Sequence, residues 1–189
     1  MTIIPVIERW TLGKNNAVNY INSYLQKQQF ATSEILDIKA IGLFSVGGEI
    51  EEKGLKQLIK KIRTSSGILI VTSEFNGEYP KTLKILIDFF YERWNHKPVA
   101  ISTVCDDEEN CSQIIRSLQF SLWKINTYSV PVSFHVPGIA GASRSTDSVT
   151  PEFSSRQAVG TAEELEFQQV FNTYCNKYIQ LCTRIEYAV

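Results

Sequence analysis

The feature that most constrains the fold is a run of six residues, Gly67-Ile68-Leu69-Ile70-Val71-Thr72, that is almost uninterruptedly apolar. Such a run, rich in β-branched residues, is typical of a strand buried on both faces of a parallel sheet. Residues 97–104 are predicted as the next strand. Between the two, apolar side chains from Leu83 to Trp94 recur at the three- and four-residue steps of an amphipathic helix. This alternation of strand and helix predicts an α/β fold with a parallel sheet.

The alternation extends along the whole chain. Further strands are predicted at residues 3–7, 34–38 and 130–136, and further helices from about residue 16 and at 55–62, 114–125 and 162–185. Pro5 counts against the first strand, because proline cannot donate to the ladder. Residues 138–160 lack periodicity and form an unusually long connection, which favours a functional, interfacial or mobile segment. No internal repeat divides the chain, so we predict a single domain over residues 1–189.

The charge balance provides no excess of positive charge. Lys and Arg total 19 against 20 for Asp and Glu, which gives a formal net charge of -1. Because binding to a phosphate backbone depends on such an excess, we expect no nucleic acid as partner. No stretch approaches the roughly 20 apolar residues of a membrane span, and the first residues read as a strand and not as a signal sequence. We therefore expect a cytoplasmic protein with no membrane segment.

The cysteines and histidines do not have the spacing of a metal site. The four cysteines contain no C-x-x-C pair, and only His96 and His135 could complete a ligand set, so we predict no metal. Cys175 and Cys182 are seven residues apart in a helical pattern and therefore share one face. We predict that both are buried thiols that pack as small apolar side chains.

In an open parallel sheet, ligands bind outside the carboxyl ends of the strands, which directs attention to three loops. The first, residues 8–16, is rich in polar groups able to surround a phosphate, next to the N-terminus of the following helix. Glu8 opposes an anion there, and a simple N-cap by one of the two asparagines is an equal alternative. The candidate phosphate ligands in this loop are Arg9, Thr11, Lys14, Asn15 and Asn16.

The second and third loops differ in character. In the second, Asn76-Gly77 is a turn dipeptide that tolerates positive φ and exposes backbone N–H groups, and Phe75 and Tyr79 are placed to flank a flat ligand. A plain tight turn explains these residues equally well.

The third loop, Cys105-Asp106-Asp107-Glu108-Glu109-Asn110-Cys111, carries four acidic residues, which are typical of a helix N-terminus. Cys105 is a candidate ligand contact without cationic neighbours, so it is not predicted to be a nucleophile.

The middle loop and the helix after it resemble the signature of the NAD(P)H-dependent FMN reductase family. The matching residues, at the family's spacing, are Glu74, Asn76, Gly77, Pro80, Leu83, Lys84 and Asp88. Ser73 and Phe75 stand where the family usually has Pro and Tyr. The first loop lacks the family's Gly-Ser-x-Arg start, and the third loop lacks its Gly-rich stretch.

The resemblance implies a flavodoxin-like three-layer sandwich with a five-stranded parallel sheet in the order 2-1-3-4-5. It implies FMN as cofactor, with the ring against the middle loop, NAD(P)H as electron donor, and a small-molecule acceptor such as a quinone, free flavin or azo compound. It also implies a homodimer, for which Phe90, Tyr91 and Trp94 are the expected contact. Since the cofactor carries the hydride chemistry, no catalytic side chain is predicted. The implied ring contacts are Glu74, Phe75, Asn76, Gly77, Tyr79 and Cys105.

The atypical first and third loops leave a second interpretation open. In it, the chain is a flavodoxin-like binding or regulatory module that has lost tight FMN binding. A flavodoxin-type electron carrier is a weaker alternative, because the near-neutral charge provides little field to steer redox partners. Binding of FMN separates the module from the enzyme, and direct oxidation of NAD(P)H separates the carrier from the enzyme.

Overall fold

A computed structural model of the chain describes residues 2–7, 22–27, 32–38, 52–73, 76–105, 108–130, 133–137 and 162–186. Strands and helices alternate along this part of the chain, as predicted. The strands are β1 (Thr2–Ile7), β2 (Thr32–Ser33), β3 (Leu36–Asp37), β4 (Gly67–Ser73), β5 (Pro98–Cys105), β6 (Tyr128–Ser129) and β7 (Phe134–Pro137). The helices are α1 (residues 22–27), α2 (Glu52–Thr64), α3 (Lys81–Phe89), α4 (Tyr91–Trp94), α5 (Glu108–Lys124) and α6 (Ala162–Glu186).

The strands form one parallel sheet in the order β2-β1-β4-β5-β6, with β3 also paired to β1 and β7 also paired to β5. The predicted α/β class is therefore confirmed. The strand order differs slightly from the predicted 2-1-3-4-5, because two of the five predicted strands are each divided into two short segments. Pro5 does not interrupt β1, where its Cα lies opposite that of Leu69 in β4.

The core consists of two apolar clusters, one on each face of the sheet. Every residue of β4 is buried, and its side chains alternate between the clusters. Ile68 and Ile70 pack on one face with residues of α2, α3 and α5, whereas Leu69 and Val71 pack on the other with residues of α1 and α6. These three layers match the predicted sandwich.

The predicted helix from Leu83 to Trp94 is interrupted near its end. Phe90 has φ -109° and ψ 23°, so α3 ends at Phe89 and α4 begins at Tyr91. Phe90 and Trp94 are buried in the protomer core, and only Tyr91 of the expected dimer contact is exposed. The prediction that Phe90 and Trp94 supply a dimer contact is therefore wrong, because both rings already fill the space beneath the sheet.

Helix α6 covers one face of the sheet and contains the two predicted buried thiols. Cys175 and Cys182 are both buried thiols outside any disulfide, which confirms that prediction. Burial raises the pKa of Cys175 to about 12. Among the helices that the structure describes, none is both long and apolar enough to cross a membrane.

Candidate functional site

The three strands that precede the predicted loops end at one edge of the sheet. Ser73, the last residue of β4, lies opposite Val104 of β5, and Ile7 of β1 lies opposite Val71 of β4. The chain therefore leaves β1, β4 and β5 from the same edge. Several predicted ligand contacts lie outside the described residues, and their roles stay predictions: Arg9, Thr11, Lys14, Asn15, Asn16, Glu74 and Phe75.

The turn predicted in the middle loop is present. Asn76 and Gly77 have φ values of 51° and 79°, so two consecutive residues adopt the left-handed conformation. Asn76 is exposed, and a Cβ added to Gly77 would meet no heavy atom of the described chain within 4 Å. Within the described part of the chain, the space next to Gly77 beside the carboxyl end of β4 is therefore unoccupied.

Tyr79 anchors the end of the same loop to the core. Its side chain is buried, and its hydroxyl lies 3.0 Å from the Ser121 Oγ of α5. The Pro80 carbonyl then accepts hydrogen bonds from the N–H groups of Leu83 and Lys84 as α3 begins. The structure thus gives the Tyr79 ring a packing role, while its predicted contact with a cofactor stays untested.

Cys105 ends β5 at the carboxyl edge of the sheet and forms a disulfide with Cys111 in α5. Sequence reasoning missed this pairing, because the six-residue separation corresponds to no recognised motif. The signal available was their position on either side of a strand-to-helix loop, which brings the two Cα atoms within 5.9 Å. Helix α5 begins at Glu108, directly after the acidic loop, and the expected interaction of that negative charge with the helix dipole stays a prediction.

Buried hydroxyls lie below this edge and were also missed. Thr72 and Thr103 are neighbours across the β4–β5 pairing, and Ser102 precedes Thr103 on the opposite face. The hydroxyls of Ser102 and Thr103 are buried and have no hydrogen-bond partner among the described residues. A run of small hydroxyl residues at the end of a predicted central strand was the signal that could have identified them. No group of three or more His, Cys, Asp or Glu side chains suited to a metal ion occurs in the described ranges.

Comparison with known families identifies the chain. The family model described as NADPH-dependent FMN reductase matches residues 14–141, which is more than half of the 189-residue chain. The chain belongs to this family. The resemblance predicted from the middle loop is thereby confirmed, and the family's description names FMN and NADPH.

One curated relative and two solved structures illustrate these similarities. An NAD(P)H-dependent FMN reductase of Schizosaccharomyces pombe is 44% identical over 41 residues, a match that spans 22% of this chain and 20% of that protein. The flavoenzyme NAD(P)H:(acceptor) oxidoreductase FerB of Paracoccus denitrificans superposes with a TM-score of 0.66 at 18% identity, over 98% of this chain and 96% of that one. Flavodoxin 1 of Bacillus cereus superposes with a TM-score of 0.57 at 10% identity, over 95% and 98% of the two chains. At these identities the two structures show the fold alone, which is flavodoxin-like.

Proposed function

We propose that this protein is an NAD(P)H-dependent, FMN-containing oxidoreductase that reduces a small acceptor such as a quinone, free flavin or azo compound. The observation that carries the proposal is the left-handed Asn76-Gly77 turn beside open space at the carboxyl end of β4. Family membership over residues 14–141 supports the same cofactor and electron donor. The regulatory-module alternative has no observation in its favour, and it becomes an outcome of the test below.

The residues of the middle loop fit a planar cofactor. A bound FMN would supply the chemistry, accepting a hydride from the nicotinamide and delivering electrons to the acceptor. The chain's own contribution is to bind and orient it. Asn76 and Gly77 turn the chain at the carboxyl end of β4, and a side chain at Gly77 would enter a space that no other described residue occupies within 4 Å. The Tyr79 ring, buried in the core, fixes the position from which the turn projects.

The phosphate end of the cofactor is assigned to the first loop. Because that loop follows β1, it leaves the sheet beside the loop after β4. We propose that Arg9 and Lys14 neutralise the phosphate and that Thr11, Asn15 and Asn16 donate hydrogen bonds to it. No side-chain acid or base is assigned to the reaction. Selectivity for the acceptor then depends on the shape of the space at the carboxyl edge of the sheet.

We further propose a homodimer, located in the cytoplasm, where NAD(P)H is available. The surface that supports a dimer is the outer face of α5. Phe120 and Trp123 are 55% and 70% exposed, and their rings stack with centroids 6.1 Å apart. An exposed pair of large rings is typical of an interaction site. With a near-balanced charge, we propose no role in binding nucleic acid.

Titration of the purified protein with FMN tests the proposal. We expect quenching of flavin fluorescence on binding, and oxidation of NADH or NADPH by the loaded protein when a quinone is added. Gly77→Ala should weaken FMN binding, since it strains the turn at φ 79° and fills the adjoining space. Asn126→Ala is the matched control, because Asn126 has φ 56° in a turn before β6, at the amino ends of the strands.

Two results would count against the proposal. Absence of FMN binding would favour the regulatory module, and FMN binding without any oxidation of NAD(P)H would favour the electron carrier. Equal loss of FMN affinity in Gly77→Ala and Asn126→Ala would mean that general destabilisation, and not the turn, controls binding.

A further inference from the structure

The Cys105–Cys111 disulfide joins the end of β5 to α5 at the edge where we place the cofactor. Cys105 lies opposite Pro137 of β7, at the carboxyl end of its strand. Cys111 lies in the first turns of α5, which begins at Glu108. The bond therefore fixes the N-terminal turns of α5 relative to the sheet at a functional edge.

The disulfide is poorly placed to serve as a structural staple. Strand β5 and the middle of α5 are held without it, because β5 pairs with β4 and β7, and Ile114, Leu118 and Leu122 of α5 are buried. Because the sequence separation is only six, the bond removes less freedom from the unfolded chain than a bond that closes a long loop. Its effect is confined to the first turns of α5.

The other two cysteines of the protein lie elsewhere. Cys175 and Cys182 are buried on α6, in the apolar cluster on one face of the sheet. Cys105 and Cys111 belong to the cluster on the opposite face and are themselves only 5% and 1% exposed. The disulfide therefore lies beside the candidate site, and its exchange with an external thiol requires local opening of the N-terminal turns of α5.

We propose that Cys105 and Cys111 form a reversible redox pair that controls cofactor binding through the N-terminal turns of α5. The control of cofactor binding rests on the FMN oxidoreductase proposed above. The redox inference rests on the proposed cytoplasmic location, where disulfides are generally transient, catalytic or redox-sensing. In the oxidised state the bond holds these turns in place, and in the reduced state they are released.

The reaction that interconverts the two states is thiol–disulfide exchange with a cellular thiol such as glutathione. A thiolate attacks one sulfur of the pair, the Cys105–Cys111 bond breaks, and a mixed disulfide forms. A second thiol displaces the protein sulfur, so two electrons and two protons pass from two thiol molecules to the protein and one external disulfide is released. Oxidised glutathione drives the reverse reaction.

The first test is equilibration of the full-length protein in glutathione buffers of graded ratio, followed by alkylation under denaturing conditions and mass spectrometry. We expect the number of alkylated cysteines to rise from two, Cys175 and Cys182, to all four as the buffer becomes reducing. A pair that stays oxidised in the most reducing buffer would show a structural disulfide and overturn the proposal. A pair that never oxidises would overturn it equally.

The second test compares the two states of the wild-type protein. On reduction, hydrogen exchange should accelerate at residues 112–115, whose N–H groups face the carbonyls of the first turn of α5, and remain unchanged at the C-terminal end of α5. FMN affinity should fall at least about fivefold, the lower end of ordinary coupling between sites. The double variant Cys105→Ser/Cys111→Ser should resemble the reduced protein in every buffer. The control Cys175→Ala should retain the redox response.

The outcomes separate this inference from the proposed function. If FMN binds in neither state, the proposed function fails, and glutathione titration with hydrogen exchange still decides whether the pair is a redox device. If FMN binds equally in both states, control of cofactor binding is refuted while the oxidoreductase stands. Because the wild-type comparison needs no variant, misfolding of the double variant does not prevent a decision.

Discussion

Gly67, the first residue of β4, determines how closely α6 approaches the sheet. A Cβ at this position would lie 2.6 Å from both the Cys182 Sγ and the Tyr178 hydroxyl, which is too close for either contact. We expect Gly67→Ala to lower the free energy of unfolding by about 1–3 kcal/mol, the usual cost of overpacking a core. Urea denaturation measures the change. Adding Cys182→Ala should recover part of the loss, and an unchanged urea midpoint in Gly67→Ala would contradict the observed packing.

Tyr79 has two possible roles that one substitution separates. Because its buried hydroxyl interacts only with Ser121 in the described structure, Tyr79→Phe should cost about 0.5–1.5 kcal/mol of stability and leave FMN affinity unchanged. Ser121→Ala is the partner variant, and the two losses should not add in the double variant. Unchanged stability with weakened FMN binding would instead support the cofactor contact predicted from sequence.

Single residues were predictable where their conformation is decided locally. Asn76-Gly77 could be assigned to a turn because positive φ is an intrinsic preference of these residues. The burial of Tyr79 and the disulfide partner of Cys105 both depend on residues of α5. Ser121 is 42 residues from Tyr79 along the chain, and Cys111 is six residues from Cys105. No local pattern could specify those neighbours.

At the scale of elements, the central strands were predictable from the sequence, whereas the bounds of the outer strands were not. The strands β4 and β5 are buried along their whole length, so their sequences carry a strong apolar signal. The outer strands are divided into segments of two to four residues, and their bounds depend on pairing with β1 or β5 more than on composition. The break at Phe90 was missed because apolar spacing continues through it.

Helix α6 makes the stability of the protein sensitive to alkaline pH. Burial raises the pKa of Cys175 to about 12 and the pKa values of Tyr174 and Tyr178 well above 10.0. These groups ionise more readily in the unfolded chain, so their stabilisation is complete below about pH 9 and is lost as pH rises toward 12. The free energy of unfolding should therefore fall over this range, by up to about 1.4 kcal/mol per pH unit for each group.

Substitution of one tyrosine tests this pH dependence. Tyr178→Phe should reduce the slope of stability against pH above about 10, where an unfolded tyrosine begins to ionise. Val170→Ala, on the exposed part of the same helix, should leave the slope unchanged. If the free energy of unfolding of the wild-type protein does not change up to pH 12, that result would contradict the burial of these groups.

At the scale of the whole molecule, the fold class followed from the alternation of strands and helices, and the subunit contact did not. Phe90 and Trp94 have the spacing of a contact face, but that face is turned inward. Periodicity indicates that a helix has an apolar face without indicating what covers it. The aromatic side chains left for a partner in the described structure include Phe89, Tyr91, Phe120 and Trp123.

The proposed dimer leads to a prediction at the same scale. Trp123→Asp should convert the dimer into monomers in analytical ultracentrifugation without loss of secondary structure, because Trp123 is 70% exposed in the protomer. Phe89→Asp, on α3, is a comparison variant with similar exposure at 53%. A dimer that persists in Trp123→Asp and dissociates in Phe89→Asp would move the interface to α3.

The central claim is that a flavin ring lies against the main chain of the turn after β4. A crystal structure of the complex with FMN tests it most directly. We predict the ring beside Asn76 and Gly77 and the phosphate within the loop of residues 8–16. A complex in which the protein's own side chains fill that space, or in which FMN binds away from the carboxyl edge of the sheet, would contradict the claim.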